Sequence, residues 1–416
     1  MEQLSIATLL DSAKAKTSRD KVRVLALTTI FPHAENPRAA PYIRQQAVAL
    51  SRHCRLDMLG VLPWFPAARA VKRFTYWGTD FSTVPREEVI DGLAVRHPRF
   101  FHLPRLTALS AATYAASLLP TLAPLRRELD AVYATWAYPD GVAALTLGRL
   151  LGLPVVVQVI GSDVNRVAKL PSARRQLRWS LPRAGGVVAV SRPLAEEMVA
   201  LGAPAERVHV IPTGLDRGVF RVRSRSAARR ALGQPEDARL ILFVGRLYQA
   251  KGVGELLDAF DALAARSNRY RLVVIGDGPA RAACEERARR HAGRLLLAGE
   301  LGAEAIAEWL AACDVLSLPS HDEGTPNVVL EALGCGRKVV ATNVGGIPAV
   351  VTGPLQGQLV PPRRVPELCA ALEHVLDEPY DPEQVAASVE LFDWDENARR
   401  VLAVLDAAVA SGASRS

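Results

Sequence analysis

In the stretch HDEGTPNVVLEALGCG, residues 321–336, Glu323 and Glu331 stand eight positions apart. Thr325 suits a helix N-cap, and Pro326 suits the first helical position, where its missing N–H costs nothing. The run NVVLEAL supplies helix formers, and Gly334 and Gly336 end it. One acid is therefore expected at the open end of a helix and the other within it. The N–H groups of Asn327, Val328 and Val329 would make that open end an anion site. A carboxylate there competes with an anionic ligand unless it serves another part of the same ligand.

Two further stretches suggest what that ligand is. FVGRLYQAKGVGELLDAF, residues 243–260, puts Gly245 at the end of a strand, Arg246 and Lys251 just after it, and Gly252 before a helix. Two cations at such a place can neutralise a diphosphate, although alone they read more commonly as solvated loop residues. IGDGP, residues 275–279, gives Gly276, Asp277 and Gly278 in a tight turn, whose glycines would allow a flat ring such as a nucleobase to come close. A nucleotide-diphosphate sugar satisfies all three stretches. Its diphosphate would meet the helix end, Arg246 and Lys251, its ribose hydroxyls Glu331, and its sugar hydroxyls Glu323. The two acids then bracket the diphosphate rather than oppose it.

The elements that must position these residues are short Val/Ile/Leu-rich runs alternating with helical patterns. VRVLALTT, RLDMLGVL, AVYATW, PVVVQVIG and GGVVAVS form one series; RLILFVGRL, RLVVIGDGP, RLLLAGE, DVLSLPS and KVVATN form a second. Continuous apolar strands with intervening helices indicate parallel sheets covered on both faces. The expected fold class is α/β, two doubly wound Rossmann-like domains facing across a cleft, with ligand at the carboxyl ends of the strands. The expected division is a loose leader over 1–21, an acceptor-binding domain over 22–210, a donor-binding domain over 211–382, and a final helix with its tail over 383–416 that crosses back toward the first domain. VHVIPTGLDRGVF, residues 208–220, reads as the linker.

Composition removes several function classes. The first strand runs into LTTIFPHAENP with no glycine in the turn, which disfavours an NAD or FAD enzyme, and no G-x-x-x-x-G-K-[ST] is present. Cys54, Cys284, Cys313, Cys335 and Cys369 form no CxxC pair, which favours reduced thiols and a cytoplasmic setting over a zinc site or a disulfide frame. Residues 1–20 have an early acid and no long apolar core, so a secretory signal is not expected there. Residues 107–125 carry no charge but are only weakly apolar, so a core helix is expected there rather than a membrane span. Residues 1–215 hold 27 Lys+Arg against 16 Asp+Glu, and the remainder 24 against 27. The basic half fits an anionic substrate or membrane surface; a nucleic-acid partner is disfavoured, because no recognition module accompanies the charge. PWFPAARAVKRFTYW, residues 63–77, mixes Arg69, Lys72 and Arg73 with aromatics and is the expected point of reversible docking on the inner face of a membrane.

The ordered set GRLYQAKGVGELLDAF, VIGDGP, ACDVLSLPSHDEGTPNVVLEALGCG and VVATNVGGIPAVV closely resembles the donor half of retaining glycosyltransferases of the family-four type, with the GT-B fold and an E-x7-E motif. TTIFPHAENPRAAPYIRQQAVAL, YPDGVAALTLGRLLGLPVVV, GSD and VSRPLAEEM resemble its first half, so the resemblance covers about residues 22–400. It implies sugar transfer from a nucleotide-diphosphate sugar with retained configuration, without a metal or other cofactor, to a saccharide or lipid-linked acceptor in cell-surface polysaccharide or glycolipid synthesis. It implies Arg246, Lys251 and Glu323 as catalytic residues, with Gly245, Gly276, Asp277, Gly278, Thr325, Asn327, Val328 and Glu331 around the donor. Asp140 and Asp163 would lie on the sugar or acceptor wall, or else cap helices. Thr135 and Ile160 stand where the family often has His, Ala40 where it has Gly, Thr325 where it has Phe and Thr213 where it has Asn. The missing imidazoles leave a non-catalytic sugar-nucleotide-binding protein of the same fold as the second reading.

Overall fold

Alternate side chains of the first strand, Arg23–Thr28 (β1), bury themselves on opposite sides of a sheet. Leu25 and Leu27 pack into one apolar cluster, Val24 and Ala26 into another. That two-sided burial requires helices on both faces, and the fold supplies them. The computed structural model describes residues 21–37, 39–65, 81–102, 106–165, 167–291, 293–324 and 326–413.

In chain order the strands after β1 are β2 Arg55–Gly60, β3 Leu62–Trp64, β4 Glu87–Ile90, β5 Leu93–Arg96, β6 Arg99–Phe101, β7 Ala131–Ala134, β8 Val155–Val159, β9 Gly186–Ala189 and β10 Val208–Val210. Eight of them form one sheet in the order β10-β9-β8-β7-β1-β2-β5-β4, parallel except for the β4–β5 hairpin; β3 and β6 pair separately. Helices of eight residues or more in this part are α1 Pro41–His53, α2 Ser110–Leu122, α3 Val142–Leu151, α4 Pro171–Ser180 and α5 Arg192–Ala200. Ile43 and Leu50 of α1 cover one face of the sheet. Tyr114 and Leu118 of α2 and Leu147 of α3 cover the other, so the uncharged segment after residue 107 contributes one side of α2 to the core, as expected.

The second sheet contains β11 Arg239–Val244, β12 Tyr270–Ile275, β13 Leu295–Gly299, β14 Val315–Leu318, β15 Lys338–Thr342 and β16 Gly357–Val360. Its order is β13-β12-β11-β14-β15-β16, all parallel, which is the doubly wound arrangement with its switch point between β11 and β14. Its longer helices are α6 Val253–Arg266, α7 Arg281–Arg290, α8 Ala303–Ala312, α9 Asn327–Gly334 and α10 Val365–Asp377. Two buried arginines fix the start of β14. Arg337 donates to Leu310 O and Ala311 O, and Arg229 to Ala312 O at 2.9 Å and Asp314 Oδ2 at 2.7 Å. They satisfy the carbonyls left open at the end of α8.

Three expectations shift. The chain divides after Gly214 and again before Trp394, not at 210 and 382: residues up to Gly214 and from Trp394 onward form one unit, Leu215–Asp393 the other. Val208–Val210, read as linker, is the edge strand of the first sheet. The single helix expected from residue 383 is two, Pro382–Ala387 and α11 Trp394–Ala413. The break exists because Leu215 N–H donates to Phe392 O at 2.8 Å, pulling that segment out straight. Val401, Val404, Leu405 and Ala408 of α11 then complete the core beside α1 in the first unit. Asn397 ties the helix down, accepting from Gln46 and donating to Pro212 O, at 2.8 and 2.7 Å.

Candidate functional site

The loops at the carboxyl ends of β11 and β14 are neighbours because those strands are neighbours. The first carries Gly245, Arg246 and Lys251; the second carries Glu323. Lys251 Nζ lies 2.6 Å from Glu323 Oε1, and Ser320 Oγ donates to the same oxygen at 2.7 Å. Glu323 is 8 % exposed. Backbone packing holds it there. A Cβ at Gly345, where φ is +55°, would run into Glu323 O, and Gly346 N–H donates to Gly324 O at 2.8 Å. The second glutamate loop is also laced to the first: His321 N–H donates to Ala250 O, and its ring meets Glu255 Oε1 at 2.7 Å. A Cβ at Gly252, φ +68°, would run into Pro319 O, so only glycine allows the two loops to approach.

Arg246 is exposed and stacks on Tyr248 at 4.9 Å while donating to its hydroxyl at 2.8 Å. Among the described residues it has no acidic partner. Sequence reasoning passed over Tyr248 and Ser320, since neither residue type carries a signal at its position. The glycines of the IGDGP turn also meet a constraint within the chain. Cβ atoms at Gly276 and Gly278 would collide with Gly245 O and Leu247 O, so glycine there permits a close approach to the chain's own β11 loop. Asp277 accepts from Gly278 N–H at 2.7 Å and lies 3.5 Å from Arg281.

Helix α9 begins at Asn327 with Pro326 in the capping position, one residue later than expected; Thr325 lies outside the described residues. Val329 N–H already donates to Pro326 O at 3.0 Å, which removes it from the expected set of free donors; Asn327 and Val328 stand partly exposed at the helix start. Glu331 is on the second turn. Among the described residues its carboxyl has no hydrogen-bonding partner, and burial pushes its pKa up to about 7. Glu331 keeps some solvent exposure, and a partly buried carboxylate without donors is one that a diol can satisfy.

In the first unit, Asp140 and Asp163 are both fully buried. Asp140 accepts from Thr29 Oγ1 at 2.9 Å and Tyr114 OH at 3.0 Å, joining the loop after β1 to α2, and burial pushes it up to about 7. Asp163 accepts from the N–H groups of Ala137, Ile160 and Gly161, so its oxygens are engaged by backbone. Burial raises its pKa, opposed by those bonds. Thr135 is buried with its hydroxyl unpaired, and Ile160 packs against both apolar clusters. Of the aromatic–basic stretch 63–77 expected to touch a membrane, residues 66–77 lie outside the described residues; Trp64 is exposed and Phe65 buried.

Residues 238–378 match the profile described as "Glycosyl transferases group 1" and residues 73–218 that of "Glycosyltransferase Family 4". The D-inositol 3-phosphate glycosyltransferase of Nocardioides sp. is 30 % identical over 378 residues, covering 80 % of both chains. The chain is a family-four glycosyltransferase. A putative teichuronic acid biosynthesis glycosyltransferase, TuaC of Bacillus subtilis, is 28 % identical over 88 % of this chain and 90 % of its own. Among solved structures, Anabaena HepE in complex with UDP superposes with a TM-score of 0.63 at 20 % identity, over 95 % of this chain and 98 % of that one. The family-four chain thus has the GT-B fold.

Proposed function

We propose that this glycosyltransferase moves a sugar, with retained anomeric configuration and without a bound metal, from a nucleotide-diphosphate sugar to a saccharide or lipid-linked acceptor of the cell surface. The observation that carries the donor half is the cluster at the β11/β14 switch point: a Lys251–Glu323 pair, a stacked but unpaired Arg246, and the donorless carboxyl of Glu331. An ammonium has three donors, so Lys251 can keep Glu323 and still reach a phosphate oxygen. The bond from the anomeric carbon to the diphosphate breaks, and its electron pair leaves with the phosphate, whose growing charge Arg246, Lys251 and the start of α9 stabilise. The acceptor hydroxyl attacks the oxocarbenium-like carbon from the face the diphosphate leaves, and its proton passes to the departing phosphate oxygen. Glu323, steadied by Lys251 and Ser320, holds a sugar hydroxyl; Glu331 accepts from the ribose.

UDP and UDP-glucose are bound in HepE, which makes UDP-sugars the first donors to try. The test is a thermal-shift screen over nucleotide sugars, followed by incubation of the best binder with and without saccharide acceptors. Nucleotide-sugar stabilisation together with an axial-to-axial product linkage by NMR supports the reading. Inverted product, or turnover that depends on added divalent metal, overturns the corresponding part. Donor binding with neither hydrolysis nor transfer would leave a sugar-nucleotide-binding protein.

A further inference from the structure

Some surface cations of this chain sit beside acids, as Arg287 does beside Asp258 and Asp261. One region of the first unit carries many cations and almost no acids. Between Ala131 and Ser191 the sequence holds seven Lys+Arg and two acids, and those acids are the fully buried Asp140 and Asp163. Arg174 pairs with Glu197; Arg149, Lys169, Arg175, Arg178 and Arg183 have no acidic partner among the described residues.

The free cations surround an exposed tryptophan. On α4 the buried side chains Ala173, Leu177 and Ser180 follow helical spacing and face the core. Arg175, Arg178 and Trp179 follow the same spacing on the opposite side. Trp179 is 49 % exposed, with the Arg183 guanidinium 4.8 Å from its ring and that of Arg149 at 6.0 Å. Exposed leucines adjoin: Leu170 precedes α4, and Leu150 lies near the end of α3. Gln176 ties α4 to the turn Thr107–Leu109 through Ala108 O at 2.9 Å, where Leu106 and Leu109 are about half exposed.

Unopposed positive charge by itself attracts any polyanion. Combined with a half-exposed indole and exposed leucines, it fits a surface that is anionic outside and apolar beneath. Indoles settle at the headgroup level of a bilayer, and guanidinium groups bind phosphate in bidentate fashion. We propose that the outer face of α4, with the end of α3 and the turn before α2, docks the first unit reversibly on an anionic phospholipid bilayer, Trp179 entering the headgroup layer. It deepens the lipid-linked part of the acceptor reading, and it rests on that reading only for its purpose, not for its evidence.

The test uses the full chain and phosphatidylglycerol-containing vesicles, with pure phosphatidylcholine vesicles as control. Wild type should sediment with the anionic vesicles at low salt, release as salt rises, and show tryptophan quenching by brominated lipid. Each neutralised arginine should weaken partitioning about fivefold, so Arg175→Ser/Arg178→Ser should bind roughly 25-fold less. Trp179→Phe should lose most of the quenching. Donor hydrolysis, which needs no bilayer, should be unchanged in all variants, so failure to dock is separable from failure to transfer. Wild type that ignores anionic vesicles, a double variant that binds them equally, nucleic acid bound more tightly than vesicles, or a concentration-dependent dimer abolished by Trp179→Phe would each overturn the proposal.

Discussion

Lys251 and Glu323, seventy-two positions apart in the chain, form one ion pair at 2.6 Å. The pair links the loops after β11 and β14, the proposed donor site, whereas Arg246 on the first of them has only Tyr248. Substitutions at the two cations should therefore differ. Arg246→Ala and Lys251→Ala should each lower turnover by about a hundredfold, near 3 kcal/mol, because leaving-group charge is greatest in the transition state. Arg246→Ala should leave stability within about 0.5 kcal/mol of wild type. Lys251→Ala strands a buried carboxylate and should cost about 1–3 kcal/mol, recovered in part by Lys251→Ala/Glu323→Gln. Urea denaturation beside steady-state kinetics checks both halves; unchanged turnover in both single variants would remove the donor assignment.

The two glutamates should separate in binding. Glu323→Ala should spare affinity for a nucleoside diphosphate while abolishing transfer, and Glu331→Ala should weaken that affinity. Titration calorimetry with the nucleotide alone decides, and the reverse pattern would exchange the two roles.

Glu331 also sets a pH dependence. Its folded pKa of about 7 lies above the ordinary 4.5, so the cost of ionising it appears as pH rises from about 4.5 through 7. Glu331→Gln should match wild type below that window and be the more stable protein above it. Binding runs the other way, since only the ionised carboxylate accepts from both ribose hydroxyls. The affinity ratio of wild type to Glu331→Gln for a nucleoside diphosphate should grow between pH 6 and 8; a flat ratio would mean that the carboxyl does not meet the ribose.

Gly345→Ala tests the packing that holds Glu323. The new Cβ meets Glu323 O and occupies a left-handed backbone position, so a loss of roughly 2 kcal/mol or more in stability is expected, with turnover falling further than binding. Nucleotide affinity near wild type alongside lost transfer would place the damage at Glu323.

Asp140 offers a parallel titration in the first unit. Its pKa is pushed from 3.8 up to about 7, so wild type should lose stability relative to Asp140→Asn as pH rises from 5 to 8, on the order of 2 kcal/mol. A pH-independent difference would mean that Thr29 and Tyr114 keep the carboxylate ionised throughout.

The strands of both sheets were legible because a run such as PVVVQV is apolar on both faces, which only a covered parallel strand explains. The edges were not. Val208–Val210 is three residues long with His209 at its centre, too short to show a period. The β4–β5 hairpin, by contrast, carried its signal in Asp91-Gly92, both at positive φ, a turn pair that sequence reasoning passed over. At the site, residue types and motif order pointed to the loops after β11 and β14, which the strand order makes neighbours. The Lys251–Glu323 pairing could not be read, since it depends on β11 lying beside β14, and neither could the solvation of Glu331 or the loop packing behind Gly276 and Gly278. The split of the last helix was hidden for the same reason: its cause, Leu215, is nearly the whole second unit away.

Leu215 and Phe392, the first and nearly the last residues of the second unit, are joined by one hydrogen bond, while α11 completes the core of the first. The order of synthesis then differs from the order of folding. As the chain emerges, the first sheet appears early but lacks Val401, Val404 and Leu405 until the final helix is made, whereas the inserted unit has all its strands before that helix exists. Nascent chains halted before residue 394 should hold a protease-resistant second unit attached to a protease-sensitive first one, and chains released after 413 should protect both.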